Sequence, residues 1–359
     1  MRPTLAVAAL GQSLWLDNLS RSLLNDGALA RYIAEDGVSG LTSNPAIFQN
    51  ALASSPYYAD DLARLRLTEP DPERRFEALA IPDIQAACDL LAPVFRKSNG
   101  LDGYVSLEVA PKWAYDAHKT VAEAQRLARR VERANLLVKV PGTPAGVEAF
   151  EALTVLGVNV NVTLLFSLGQ TEAVFQAWLR GLKARLATGL DVKRSFAVAS
   201  LFMSRVDTLV DAQLENIGTP EALALRGQAA VALGKLAYRR YMELFHGGAF
   251  AGLRESGAAP QKLLWASTGT KNPAYSDLLY VEPLIGPETI NTLPDKTLAA
   301  LADHGEVART VELGIDEAAA HYAALAKLGI AMEAVGETLQ VDGVKLFQIA
   351  FDKVLQVTA

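Results

Sequence analysis

Residues 135–143 read Asn-Leu-Leu-Val-Lys-Val-Pro-Gly-Thr, and this short segment decides the fold. Its apolar residues are typical of a buried strand, and Pro-Gly ends it, so Lys139 lies near the carboxyl end of the strand. One explanation is a lysine whose methylenes follow apolar surface while its amine reaches water. The alternative is an amine held where water is scarce, which attacks a carbonyl as a Schiff-base nucleophile. The segment alone leaves both open.

The same pattern recurs along the chain as a short apolar run, a polar residue near its carboxyl end and then a helical segment. Alternation places Asn159, Asn161 and Thr163 on one strand face, and Ser106 and Glu108 on one face of another strand. Helix caps are the alternative for such polar residues, although glutamate is a poor cap. Repeated strand–helix units with polar carboxyl ends predict a (β/α)8 TIM barrel, whose active sites lie at that face. The other runs are residues 14–17, 40–44, 104–108, 158–163, 196–200 and 262–267.

Length and composition predict one domain over residues 1–359, because 359 residues that are 50% hydrophobic can form one large barrel with insertions. We expect additional helices after strand 2, within residues 45–99, including a helix over 82–97 with Pro82 in its first turn. Residues 220–250 are expected in the outer helical ring. The tail after residue 343 has an amphipathic pattern and is expected to pack across the barrel.

The composition argues against several other classes of protein. A net charge of −6 disfavours nucleic-acid and anionic-membrane partners. We expect no run long and apolar enough to span a bilayer, and the single cysteine, Cys88, fits a reducing cytoplasm. The four histidines lack zinc-site spacing, and neither a Gly-x-Gly-x-x-Gly nor a P-loop motif is present. We therefore expect a cytoplasmic protein without a metal or a dinucleotide cofactor.

Five motifs, in the same order between residues 41 and 207, resemble those of the transaldolase family. The resemblance implies a cofactor-free TIM barrel of the pentose phosphate pathway. Such an enzyme moves a dihydroxyacetone unit from sedoheptulose 7-phosphate or fructose 6-phosphate to glyceraldehyde 3-phosphate or erythrose 4-phosphate. Its partners would be these small sugar phosphates, and a homodimer is compatible with the sequence. The motifs are residues 41–48 (Leu-Thr-Ser-Asn-Pro-Ala-Ile-Phe), 105–108 (Val-Ser-Leu-Glu), 137–141 (Leu-Val-Lys-Val-Pro), 157–167 (Gly-Val-Asn-Val-Asn-Val-Thr-Leu-Leu-Phe-Ser) and 199–207 (Ala-Ser-Leu-Phe-Met-Ser-Arg-Val-Asp).

The resemblance also implies catalytic roles for four residues. Lys139 would form the Schiff base with the ketose carbonyl. Asp17 would take the proton from the C4 hydroxyl as the carbon–carbon bond breaks, and return it in the reverse direction. Glu108 and Thr163 would hold a water that carries protons during imine formation and hydrolysis. From the residues alone, the alternatives are helix caps for Asp17 and Thr163 and a salt-bridged strand end for Glu108.

A second set of residues is implied in substrate binding. Asn44, Asn161 and Ser200 would hydrogen-bond the hydroxyls of the dihydroxyacetone unit. For Asn44, which precedes a proline, a turn residue is the alternative.

The phosphate site departs from the family pattern. Arg205 aligns with the phosphate-binding arginine of the family, and a planar guanidinium suits that ligand. The second phosphate site of the family usually has a serine, one further residue and an arginine. Here Ser267 is followed by Thr-Gly-Thr-Lys271, so a lysine stands in a longer loop and would act as a point charge.

Two alternative functions stay open at this point. A fructose 6-phosphate aldolase would use the same lysine chemistry but release free dihydroxyacetone. The aldolase-like relatives have a tyrosine that can orient water where this chain has Phe202, which cannot donate a hydrogen bond, and this difference favours transfer. A barrel that binds sugar phosphates without turnover is the other alternative, and the presence of Lys139 and Asp17 disfavours it.

Overall fold

The computed structural model describes residues 2–359, in which eight parallel strands form a closed barrel. Each strand pairs with the next one in sequence, and β8 closes the barrel against β1, with Gln12 opposite Thr289. The predicted TIM barrel is confirmed. The seven predicted runs match β1 to β7, whereas β8 was not predicted. The strands are β1 (Gln12–Leu16), β2 (Val38–Leu41), β3 (Val105–Glu108), β4 (Leu136–Pro141), β5 (Val160–Leu165), β6 (Ala197–Phe202), β7 (Lys262–Ala266) and β8 (Thr289–Leu293).

Helices surround the barrel, and the expected additional ones lie between β2 and β3 and at the C-terminus. The helices of the described residues are α1 (Pro3–Ala9), α2 (Arg21–Asn25), α3 (Ala28–Glu35), α4 (Pro45–Ser54), α5 (Ala59–Thr68), α6 (Pro72–Lys97), α7 (Ala117–Val131), α8 (Pro144–Leu156), α9 (Leu168–Ala187), α10 (Ser204–Ile217), α11 (Pro220–Leu223), α12 (Ala229–Phe245), α13 (Ala251–Glu255), α14 (Asp295–His304), α15 (Ile315–Lys327) and α16 (Met332–Thr358).

Buried apolar side chains fill the inside of the barrel and also the layer between its strands and the surrounding helices. Strands β4, β5 and β6 are buried along their whole length, as expected of parallel strands covered on both faces. Trp15 on β1 is fully buried, and its Nε1 donates to Asp102 at 2.8 Å. A Cβ atom at Gly40 on β2 would lie 2.4 Å from this ring, so the absence of a side chain there makes room for the tryptophan.

Two helix predictions were wrong in their boundaries. Pro82 lies inside α6 and not in its first turn, because buried residues such as Leu79 and Ile84 continue the packed face on both sides of it. A proline inside a helix removes one backbone hydrogen bond, and the packing offsets that loss. The stretch over 220–250 is interrupted between α11 and α12, where Gly227 has a left-handed φ of 70°.

The prediction that no segment is long and apolar enough to span a bilayer was wrong for one helix. Within residues 2–359, α6 is long and apolar enough, by length and composition, to cross a bilayer. However, it packs against β3 and α16 and buries the charged side chains of Glu77 and Asp83 in ion pairs with arginines. A helix buried in a protein core can also meet these criteria of length and composition, so meeting them does not show that α6 spans a membrane.

The C-terminal helix α16 lies across the carboxyl end of the barrel, as expected for the tail. It begins at Met332, twelve residues before the predicted tail, and packs against α4, α6 and β5. Gln340 anchors it, because its Nε2 donates to the backbone oxygens of Gly142 at 2.8 Å and Leu164 at 3.1 Å. That the whole chain folds as one domain stays a prediction.

Candidate active site

A cavity of about 320 Å³ opens at the carboxyl ends of the strands, the face where TIM-barrel active sites lie. It contains eight of the eleven residues predicted for the site. Its roof is formed by Leu346, Phe347 and Ala350 of α16. The polar and aromatic lining residues are Asp17, Thr42, Asn44, Lys139, Thr163, Ser200, Phe202, Arg205, Ser267 and Thr292.

Lys139 lies on β4 with its amine inside the barrel. The residue is only 5% exposed, so the explanation in which its amine reaches bulk water does not hold. Its Nζ donates to the backbone oxygen of Ser43 at 2.9 Å and lies 3.6 Å from Oε1 of Glu108. Strand register explains this arrangement, because Glu108 on β3 and Asn161 on β5 are the residues paired with Lys139.

Glu108 and Thr163 present polar atoms that the protein itself leaves free. Among residues 2–359, neither carboxyl oxygen of Glu108 nor Oγ1 of Thr163 has a hydrogen-bond partner, although all three atoms are buried. Burial raises the pKa of Glu108 to about 7, while the nearby charge of Lys139 acts in the opposite direction. A carboxyl group that titrates near neutrality beside an amine can carry protons to and from it. Thr163 is not a helix cap, since Ser167 caps α9.

Asp17 follows β1 and is held by a chain of hydroxyl groups. Its Oδ1 accepts a hydrogen bond from Thr42 Oγ1 at 2.7 Å, and the oxygens of Thr42 and Thr292 lie 2.6 Å apart. Burial raises the pKa of Asp17, and the Thr42 hydrogen bond and the charge of Lys139 partly oppose that rise. Asp17 is not a helix cap, because Ser20 caps α2. Asp17 lines the cavity, and the hydrogen bond from Thr42 fixes the orientation of its carboxyl group.

The three residues predicted to bind hydroxyl groups lie at different depths. Ser200 lines the cavity, and its Oγ donates to Oδ1 of Asn161 at 2.6 Å. Asn161 lies beneath it, fully buried, and its Nδ2 donates to Ser106 Oγ at 3.1 Å. Asn44 caps α4 by accepting from the Ile47 backbone N–H at 3.0 Å, as the turn alternative expected. This bond uses its oxygen and leaves its amide N–H groups for a ligand in the cavity.

The structure brings two of the three predicted phosphate ligands into the cavity. Arg205 forms no ion pair with any of residues 2–359, and its guanidinium carbon lies 5.6 Å from the centre of the Phe202 ring. Burial lowers the pKa of Arg205. Ser267 has a φ of 54°, in the left-handed region, and its Oγ lies 2.9 Å from that of Ser204. A partly buried guanidinium without a carboxylate partner is suited to an anionic ligand.

Lys271 lies outside the cavity. It is exposed and lines a neighbouring groove with Asp207 and Asp211. Its charge nevertheless contributes to lowering the pKa of Asp17, so it acts on the cavity electrostatically. The longer loop after Ser267 places the lysine beside the phosphate end and not within it.

Several lining residues were missed from the sequence. Thr42 lies within a quoted motif, immediately after β2, but the motif drew attention to Asn44. Thr292 belongs to β8, which was not predicted, so nothing marked it. Phe347 was recognised as part of an apolar helix face, but helical spacing does not indicate which surface that face covers.

An acidic cluster elsewhere has the composition of a metal site. Carboxylate oxygens of Glu73, Glu77 and Glu123 lie within 4.8 Å of one another. Cationic side chains already neutralise them, because Arg126 pairs with Glu77 and Glu123 and Lys112 pairs with Glu73. These ion pairs explain the cluster without a metal ion.

Comparisons with known proteins give a consistent result. A model of the family described as transaldolase/fructose-6-phosphate aldolase matches residues 14–358. A transaldolase from Thiobacillus denitrificans is 66% identical over 355 residues, which cover 99% of each chain. A transaldolase from Neisseria gonorrhoeae is 48% identical over 349 residues, which cover 97% of each chain. One from Frankia alni is 44% identical over 354 residues, 98% of this chain and 95% of that protein.

The raised pKa of Glu108 predicts a pH-dependent cost to folding. The folded protein keeps this proton up to pH about 7, whereas an unfolded glutamate loses it near pH 4.5. The raised pKa therefore lowers the free energy of unfolding progressively between those two pH values, and by a constant amount above them. Glu108→Gln removes the titrating group, so its stability relative to the unmodified protein should rise by on the order of 3 kcal/mol across this window. Urea unfolding at several pH values measures this difference, and a difference that does not change with pH would contradict the prediction.

Proposed function

The chain belongs to the transaldolase/fructose-6-phosphate aldolase family and acts as a transaldolase, an enzyme of the transferase class; we propose that its reaction proceeds through a Schiff base on Lys139. One observation carries the proposal. The Lys139 amine is almost fully buried, 3.6 Å from a carboxyl group that titrates near neutrality, beside a cavity with an unpaired arginine. The proposed substrates are sugar phosphates, and the pathway is the pentose phosphate pathway.

The first step is imine formation. The neutral amine of Lys139 attacks the C2 carbonyl of the ketose and forms a carbinolamine. Glu108 in its protonated form delivers a proton, through a water held with Thr163, to the hydroxyl group that leaves as water. The pKa of about 7 suits Glu108 to this exchange, because it can give and take a proton near neutral pH. The resulting iminium withdraws electrons from the C3–C4 bond.

Asp17 then starts carbon–carbon cleavage. Its carboxylate takes the proton from the C4 hydroxyl, and the electrons of the C3–C4 bond move into the iminium to give an enamine. The aldose that carries C4 leaves with a new aldehyde group. Thr42 fixes the carboxylate in position through its 2.7 Å hydrogen bond. In the second half-reaction the enamine attacks the acceptor aldehyde, Asp17 returns the proton, and hydrolysis frees the product and Lys139.

The three-carbon enamine must stay bound until the acceptor arrives. Asn44 and Ser200 lie within reach of its hydroxyl groups, and Asn161 holds Ser200 in place through a 2.6 Å hydrogen bond. The roof of α16 residues covers the cavity and limits the access of water. Phe202, also in the cavity wall, offers no hydroxyl group to orient a hydrolytic water. These features favour transfer over release.

The donors that we propose are sedoheptulose 7-phosphate and fructose 6-phosphate, with glyceraldehyde 3-phosphate and erythrose 4-phosphate as acceptors. Arg205 and Ser267 are the proposed phosphate ligands, and Lys271 adds positive charge from the neighbouring groove. A homodimer and a cytoplasmic location stay predictions.

Position 202 provides a test of transfer against release. With fructose 6-phosphate alone, the unmodified enzyme should release almost no free dihydroxyacetone, but it should transfer the unit when erythrose 4-phosphate is added. Phe202→Tyr introduces a hydroxyl group that can orient water, so release should increase about tenfold or more. Phe202→Leu is the control, because it removes the ring without adding a hydroxyl group. Release by the unmodified enzyme as fast as its transfer would instead support an aldolase.

The phosphate ligands are tested by comparing acceptors. Arg205→Ala should raise KM for glyceraldehyde 3-phosphate by about 10- to 100-fold, because hydrogen bonds to a charged group contribute about 1.5–3 kcal/mol each. KM for glyceraldehyde, which has no phosphate, should stay within about twofold. Lys271→Ala should have a smaller effect, about two- to fivefold, because its charge is exposed and screened. Equal increases in KM for both acceptors after Arg205→Ala would show that this arginine does not bind the phosphate group.

A further inference from the structure

A second cavity lies at the end of the barrel opposite the active site, and we name it the basal cavity. It forms where the chain enters four successive strands, and Tyr104, Leu136, Asn159 and Ser195 lie at those entry points. Its volume is about 650 Å³, roughly twice that of the active-site cavity. Cavities that bind small organic molecules commonly measure about 300–1,000 Å³. The basal cavity is therefore large enough for a ligand that the reaction does not use.

The charged side chains that line the basal cavity are all positive. Its lining contains Arg96, Arg133, Lys193 and Arg194 but no aspartate or glutamate. Arg133 pairs with Asp89 at 2.6 Å, whereas the other three cations form no ion pair with any residue in the described part of the chain. This concentration of positive charge occurs in a protein whose net charge is −6. Arg96, Lys193 and Arg194 are exposed side chains on one concave surface, and their positive charges would attract an anion bound there.

The floor of the basal cavity is apolar and partly aromatic. Phe95 and Val158 are half-buried and form this floor, and Phe95 lies edge to face against the fully buried Tyr104 with ring centres 5.3 Å apart. Leu101 also lines the cavity and is 45% exposed. An apolar, planar group packed on these side chains would remove that surface from water.

Polar groups between the floor and the cations add directional contacts. Asn159 uses its Oδ1 to accept from the Phe196 backbone N–H at 2.9 Å, so its amide N–H groups stay free to donate. Ser195 also lines the cavity. A ligand with hydroxyl or carbonyl groups between an apolar ring and its charged end would meet these side chains.

We propose that the basal cavity binds a nucleoside polyphosphate. This class combines a planar base for the apolar floor, a sugar for the polar groups and several negative charges for Arg96, Lys193 and Arg194. Inorganic phosphate shares only the last of these features. The inference goes beyond the transaldolase reaction and does not depend on the roles proposed for the active-site residues.

Isothermal titration of the full-length protein with ATP in the absence of divalent cations tests the proposal. We expect saturable binding of one ATP per chain that weakens as salt is raised. The double variant K193E/R194E should weaken binding at least 20-fold. The matched control K183E/K327E makes the same change in net charge at exposed lysines outside the cavity, and it should change binding less than threefold. Circular dichroism and transaldolase activity verify that each variant is folded, and Arg194→Gln replaces the double variant if that one does not fold.

Four results would overturn the proposal. The first is the absence of saturable ATP binding, and the second is an equal loss in K193E/R194E and K183E/K327E. The third is binding that R205E abolishes and K193E/R194E leaves unchanged, which would place ATP in the active site. The fourth is inorganic tripolyphosphate binding as tightly as ATP, which would show that the apolar floor does not contribute.

Discussion

The rest of the active site depends on one constraint, the burial of the Lys139 amine inside a barrel. A cation taken out of water needs polar partners, and here the structure supplies one backbone oxygen at 2.9 Å and one carboxyl group at 3.6 Å. The same burial that makes a charged lysine costly also raises the pKa of Glu108. Glu108 can therefore give and take a proton near neutral pH beside the amine, which the proposed Schiff-base mechanism requires. Because β3, β4 and β5 are hydrogen-bonded neighbours, the register that places Lys139 beside Glu108 and Asn161 is fixed by the fold.

The C-terminal helix α16 completes the site from outside the barrel. Gln340 connects it to two backbone oxygens at the top of the barrel, and one of these belongs to Leu164, whose φ of 61° lies in the left-handed region. This anchor holds Phe347 and Ala350 over the cavity. A covered cavity strengthens electrostatic interactions and keeps the three-carbon intermediate away from water. We propose that part of the difference between transfer and release depends on this helix, which is far from Lys139 in sequence.

Local patterns predicted the barrel, and the resemblance of the motifs to the transaldolase family indicated most of the residues that line the cavity. Apolar runs with polar carboxyl ends marked seven strands, and alternation placed Glu108, Asn161 and Thr163 on the inward face. Strand β8 was not predicted because its sequence, Thr-Ile-Asn-Thr-Leu, is largely polar. Some of its polar groups contact partners far away in sequence, as when the hydroxyl oxygens of Thr292 and Thr42 lie 2.6 Å apart, and no local pattern reveals such partners. The position of Lys271 was missed for a related reason, since the path of the loop after Ser267 depends on tertiary contacts such as the 2.7 Å bond between Tyr275 and Asp211.

Borohydride trapping tests the central claim most directly. The protein is incubated with fructose 6-phosphate and reduced, its intact mass is measured, and the modified peptide is mapped, with Lys139→Met as the control that keeps the length of the side chain without its amine. The account predicts one reduced dihydroxyacetone unit on Lys139 and no adduct on the control. A folded protein that forms no adduct, or forms it on another lysine, would contradict the Schiff-base mechanism at Lys139.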